Sequence, residues 1–224
     1  MNWRLSVFHT AVMAGLVLGW GGLNSTFASA TEVSAIPPHS LRLELHGGVS
    51  LQGNTMQQYG WKPGAEPSYL GGLYFEALGW EVGAQYWSWQ THQSISTENP
   101  EVRLRGFGAE GGRRLIGAGS FSSWLKGGVG FQNISYAPDE IALSIDGISE
   151  AIRVPLQSET EPVISLGLES RVNVVRGLGV SLRATRAWWW MDTAHRRDDV
   201  VILERESFSH WRLTLGFAWR MFSS

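Results

Sequence analysis

His92-Gln93-Ser94, followed by Glu98 and Glu101, is the segment of this chain that comes nearest to a nucleophile, a base and an acid. Acyl transfer needs the hydroxyl within hydrogen-bond reach of the imidazole, and a carboxylate that orients the ring. All of these residues fall on one polar loop with no regular element to hold them together, so ordinary loop polarity accounts for them. His195-Arg196-Arg197-Asp198-Asp199 and His210 carry groups that bind metals or move protons. The first is a charge run in a loop, solvated by default. His210 shares a strand face with Arg212 and reads as a hydrogen-bonding member of an interior rim. Arg186, Arg196, Arg197 and Arg205 offer guanidinium forks that suit phosphate, although loop solubility explains them equally well. Gly111-Gly112 and Gly127-Gly128 precede no helix and so form no phosphate-binding loop. No catalytic, cofactor-binding or metal-binding residue is assigned on these grounds.

Composition narrows the classes further. The 224 residues hold 18 basic and 20 acidic side chains, so no basic face for nucleic acid is indicated. There is no cysteine, which excludes disulfides, thiolate zinc sites and a thiol nucleophile. Residues 1–30 read as a secretory signal peptide. Arg4 supplies the positive charge, Ala11–Trp20 the apolar core, and Ala28-Ser29-Ala30 a small-residue cleavage site after Ala30. That core is too short for a membrane-spanning helix, which takes roughly 20 residues. Residues 31–224 are expected to form one domain.

From Ser40 onward the hydropathy period is two, the repeat of a pleated strand with one apolar and one polar face. Leu41, Leu43 and Leu45 alternate with Arg42, Glu44 and His46; Trp211 to Met221 alternate with His210 to Arg220. Strands are expected near 40–53, 68–78, 80–91, 102–112, 121–136, 162–175, 180–190 and 207–222. Short turns at Leu78-Gly79, 113–120 and 176–179 alternate with longer loops at 54–67, 92–101, 137–161 and 191–206. Strand four breaks the pattern, because Val102 and Leu104 share a parity with Glu110. A bulge near Gly106 or Gly108 would reset the phase.

An alternating meander buries one face in either of two ways. A soluble periplasmic barrel turns apolar residues inward, whereas a membrane barrel turns them toward lipid and fills its lumen with polar ones. The polar rows hold Arg42, Glu44, Glu76, Glu81, Lys126, Glu169, Arg171, Arg183, Arg212 and Arg220, with Glu110 joining if strand four keeps its phase. Lys62 and Lys126 are the only lysines. Near-balanced charge rich in arginine suits an enclosed network, since an unpaired buried ion is costly and a guanidinium bridges two carboxylates. Trp80, Trp188 to Trp190 and Trp219 sit at strand ends, where a membrane boundary gathers indoles. A tilted crossing takes about 9–11 residues, so about eight strands fit and the sixteen of a general porin do not.

The last strand, Leu215-Gly216-Phe217-Ala218-Trp219-Arg220-Met221-Phe222, resembles the closing strand of small Gram-negative outer-membrane barrels of the OmpA/OmpX/OmpW type. Trp219-Arg220 matches their aromatic–Arg sequence, while Met221 stands where phenylalanine is usual and Phe222 follows one place late. The resemblance implies an all-β, transmembrane up-and-down antiparallel barrel of about eight strands with a side-chain-filled lumen. It implies residence in the outer membrane, contact with its lipid, and recognition by the barrel-assembly machinery. Arg186, Arg196, Arg197 and Arg205 then become lipopolysaccharide contacts. The expected role is structural or surface-interactive, through long extracellular loops and an unidentified extracellular partner, and not enzymatic. A narrow solute conduit is the alternative, and lipid A modification ranks after it. Barrel deacylases carry His-x-Ser on a late strand followed by Asn, whereas His92-Gln93-Ser94 is early and followed by Ile95.

Overall fold

A computed structural model describes residues 39–95, 98–143, 152–175, 177–197 and 200–223. The signal-peptide segment and its cleavage position lie outside the described residues. Eight long strands follow in order: β1 (His39–Gln52), β2 (Ala65–Ala77), β3 (Trp80–His92), β4 (Glu101–Ala118), β5 (Phe121–Ala137), β8 (Glu159–Val175), β9 (Leu178–Arg197) and β10 (Val200–Ser223). They close into an antiparallel barrel in which β1 pairs with both β2 and β10. Two short strands, β6 (Glu140–Leu143) and β7 (Ile152–Pro155), pair with each other in the long connection between β5 and β8. A single helical turn, α1 (Asn54–Gln58), lies between β1 and β2.

Period-two patterning explains which side faces where. Leu45, Phe107, Leu215 and Phe217 are 61–67% exposed on the outer wall, and the charged partners of the same rows are buried inside. An apolar wall around a charged interior is the arrangement of a transmembrane barrel, whose outward band meets lipid. At one end the connections are tight. Leu78 and Gly79 both adopt positive φ, the geometry of a two-residue hairpin turn whose twist matches its strands.

Four expectations are corrected. Strand four keeps its phase past Gly106 and Gly108, and its irregularity falls between Arg114 and Ile116. Val102, Leu104 and Glu110 all point inward, because the lumen is apolar at the long-loop end and ionic at the other. Segment 191–206 is no loop: β9 and β10 continue, paired out to Arg197 and Val200. Residues 113–118 extend β4, leaving a turn at 119–120 only. Trp189 is fully buried in the lumen, so of the three consecutive tryptophans only Trp188 and Trp190 lie on the outward parity.

Candidate functional site

The lumen is filled in two layers, and every barrel strand except β10 contributes an ion-paired residue to the first of them. At the short-turn end, Arg42 reaches Glu44 at 2.7 Å, Glu76 at 2.8 Å and Glu81 at 2.5 Å, bridging β1, β2 and β3 with one guanidinium. Lys126 on β5 stands among Glu81, Glu169 (2.8 Å), Glu110 (3.3 Å) and Glu44 (4.0 Å). Arg171 on β8 pairs with Glu169, with Glu81 at 2.9 Å and with Glu44 at 3.2 Å. Arg183 on β9 pairs with Glu110 and donates to the Tyr74 hydroxyl at 3.3 Å. Tyr74 also lies under Lys126, its ring centroid 4.1 Å from Nζ. Sharing each carboxylate among several cations offsets the desolvation that makes isolated buried pairs unfavourable.

Arg212 and Arg220 share the inward parity yet form no ion pair within 4.0 Å among the described residues. Arg212 is fully buried and lies over the Trp87 ring at 5.3 Å, a cation–π contact in place of a carboxylate. Arg220 is half-buried at the short-turn mouth. Arg114, expected in a turn, lies on β4 and reaches Glu76 at 3.4 Å.

Above the ions, toward the long-loop end, the interior turns apolar. Trp61, Trp87, Trp89, Trp189, Phe208, Met56, Val102, Leu104 and Ile134 pack into one cluster. The helical turn α1 delivers Met56 into it, and Trp61 follows on the same connection. Trp87 lies across β4 and β5 where they carry glycine. A Cβ on Gly106 would stand 2.3 Å from the Trp87 ring, and one on Gly130 2.9 Å, so neither position accepts a larger side chain without displacing the indole. His210 packs between Trp89 and Trp189, with ring centroids at 4.8 and 5.1 Å. Its nitrogens find no hydrogen-bond partner among the described residues, which corrects the expectation of a hydrogen-bonded rim histidine.

The loop segment that invited an acyl-transfer reading is not assembled. Glu98 accepts the Ala142 backbone N–H at 3.1 Å, Glu101 is paired with Arg103 at 2.5 Å, and neither orients His92. Ser94 donates its backbone N–H to Gly60 at 2.7 Å, tying that loop to its neighbour. No group of three His, Cys, Asp or Glu side chains is arranged to hold a metal among the described residues.

Arg186 and Arg205 lie on the outer wall. Arg186 stacks near Trp188 at 5.2 Å and Trp211 at 5.8 Å. Arg205 is held by Glu161 at 2.7 Å and Asp192 at 3.5 Å. The side chains of His195, Arg196 and Arg197, and all of Asp198 and Asp199, lie outside what is described. Sequence reasoning passed over Arg103 and Arg105, two exposed cations on the outward row of β4. Their sequence signal was visible: both have the parity opposite to Val102 and Leu104.

No family model matches the chain, and no curated protein matches it in sequence. Solved structures do match in fold. Neisserial surface protein A superposes with a TM-score of 0.58 at 9% identity, over 82% of this chain and 99% of that one. A major outer membrane protein from Thermus thermophilus gives 0.48 at 12% identity, over 81% and 100%. The outer membrane enzyme PagL gives 0.38 at 11% identity, over 79% and 98%. At these identities the likeness is one of architecture: the chain has the fold of the small eight-stranded outer-membrane barrels.

Proposed function

We propose that this protein is an outer-membrane barrel with a structural or surface-interaction role, working through its long-loop end and not as an open pore or an enzyme. The observation that carries the reading is the doubly filled lumen. An ion network that draws on all the barrel strands but one, β10, whose Arg212 lies over Trp87 instead, is capped by a cluster of indoles and aliphatic side chains. A cylinder of this strand number is just wide enough for its own side chains. The barrel ends at His39 and Ser223 and the short turns face the periplasm, and the long connections face outward, as the alternation of turn lengths favours. Arg186, beside Trp188 and Trp211, would meet phosphate at the lipid surface. The β9–β10 ribbon above it is the surface offered to an extracellular partner.

Conductance across a planar bilayer tests the plugged lumen. The expected result is no steady current from purified protein. Sustained steps of nanosiemens size would replace this reading with that of a solute conduit. Density fractionation of envelopes, with protease applied to intact cells, tests location and orientation. Cleavage is expected only within the long-loop segments.

A further inference from the structure

The outer wall of the barrel is not uniform. On β3, β4 and β5 a shallow apolar groove of about 230 Å³ is bounded by Val82, Ala109, Gly111, Gly127 and Val129. Gly111 and Gly127 are cross-strand partners at its floor. Packing does not require glycine at either position. A Cβ at Gly111 would meet nothing nearer than 3.7 Å, and one at Gly127 nothing nearer than 3.8 Å, both ordinary contacts. Other glycines of the same strands, such as Gly108 and Gly130, would collide with backbone below 3.0 Å. The groove is therefore open although side chains would fit there.

The same strands carry cations directly above it. Along the outward row of β4, Gly111 and Ala109 lead to Phe107, then Arg105 and Arg103. Phe107 and Phe131 form a tilted pair 6.4 Å apart, an aromatic step between groove and charge. Asn133 and Ser135 stand across from Arg105 and Arg103 on β5. Arg103 is half-exposed beside Glu101. Arg105 has no ion-pair or hydrogen-bond partner among the described residues. From Arg105 to Gly111 is six residues, roughly 20 Å along the strand and about 15 Å of depth after tilt, which is one leaflet of a 30 Å hydrocarbon core.

We propose that this face is a binding site for one phosphorylated, acylated glycolipid of the outer leaflet. Arg105 and Arg103 hold its phosphate, and an acyl chain lies over Phe107 into the groove at Gly111 and Gly127. The inference rests on the outer-membrane reading above, but it concerns a face distinct from Arg186 and Arg205. Arg105, free of carboxylates among the described residues, supplies the charge complementarity beside Arg103, whose Nε is held by Glu101, and the groove supplies the apolar half of the same amphiphile.

The test is native mass spectrometry of the full barrel, refolded in neutral detergent and titrated with bis-phosphorylated lipid A or with its dephosphorylated form. One lipid per barrel is expected. Affinity should fall about tenfold or more for the dephosphorylated lipid and for R103Q/R105Q, the loss of two charge-assisted contacts. G111L/G127L, which fills the groove, should weaken binding while its circular dichroism stays that of the wild type. Equal affinity of wild type and R103Q/R105Q overturns the proposal, as does full affinity in G111L/G127L, or loss of binding only in Arg186→Gln. A protein that fractionates with the outer membrane yet binds no lipid A overturns this site alone. One that never enters that membrane overturns the location on which it rests.

Discussion

Glu169 lies between Lys126 at 2.8 Å and Arg171, with no exposure to solvent on its side chain. Truncating it leaves two buried cations short of a counter-charge. Glu169→Ala is expected to cost about 3–5 kcal/mol, the usual penalty for breaking a buried ion pair from one side. Urea unfolding in detergent measures it, and an unchanged midpoint would mean that the residue faces water. Most of this network was legible from parity, since Arg42, Glu44, Lys126, Glu169 and Arg171 are the polar members of alternating rows. Partners were not legible. Register across strands decides that Arg42 meets Glu76 and Glu81, and that Arg212 meets an indole instead of a carboxylate. Val102 and Leu104 misled because a lumen polar throughout was assumed. Once the long-loop half is seen to be apolar, the same parity places them inside without any bulge. Arg103 and Arg105 have the linked explanation: with Val102 and Leu104 expected on the lipid face, their own row falls on the lumen side, whereas the structure turns it outward.

At the scale of elements, the region where β8, β9 and β10 leave the membrane gathers like charges. Glu159 sits near Glu161 and Asp192, and partial burial together with these two carboxylates raises its pKa above the ordinary glutamate value, against a smaller opposing effect of Arg205. A carboxyl whose folded pKa is raised favours the folded state when protonated. Its contribution is present below the unfolded pKa and is lost as pH rises through the folded one. Glu159→Gln should therefore match the wild type in thermal midpoint near pH 4 and exceed it near pH 7. Identical midpoints at both values would place the group in unperturbed solvent. The ribbon itself was not legible in the sequence. Residues 191–206 resemble a loop because their sequence carries no alternating apolar row, although Met191 and Thr193 still turn toward the interior. Pairing of β9 with β10 continues out to Arg197 and Val200 and forms the ribbon. Among the described residues the ladder of β9 with β8 ends at Trp189 and that of β10 with β1 at His210, so the ribbon is where a partner strand could add to the fold.

Over the whole molecule, the ions and the indoles fill the lumen in series, and each layer is expected to block it without the other. Trp89→Ala with Trp189→Ala removes two fully buried rings from the upper layer. Each truncation is expected to cost about 3–5 kcal/mol, near the range for large core aromatics. The barrel should nonetheless stay folded in detergent, since its interstrand hydrogen bonds close on themselves and leave no edge within the membrane. Current should remain absent as well, because Arg42, Lys126 and Arg171 still bridge the strands beneath the cavity. Removing Lys126 as Lys126→Ala from that double variant frees Glu81, Glu110 and Glu169 from their shared cation. Their mutual repulsion then favours hydration of the lower layer, and intermittent, cation-selective openings should appear in a planar bilayer. Steady current from the double tryptophan variant alone would show that the ionic layer does not seal, and that the aromatic cap is the barrier by itself.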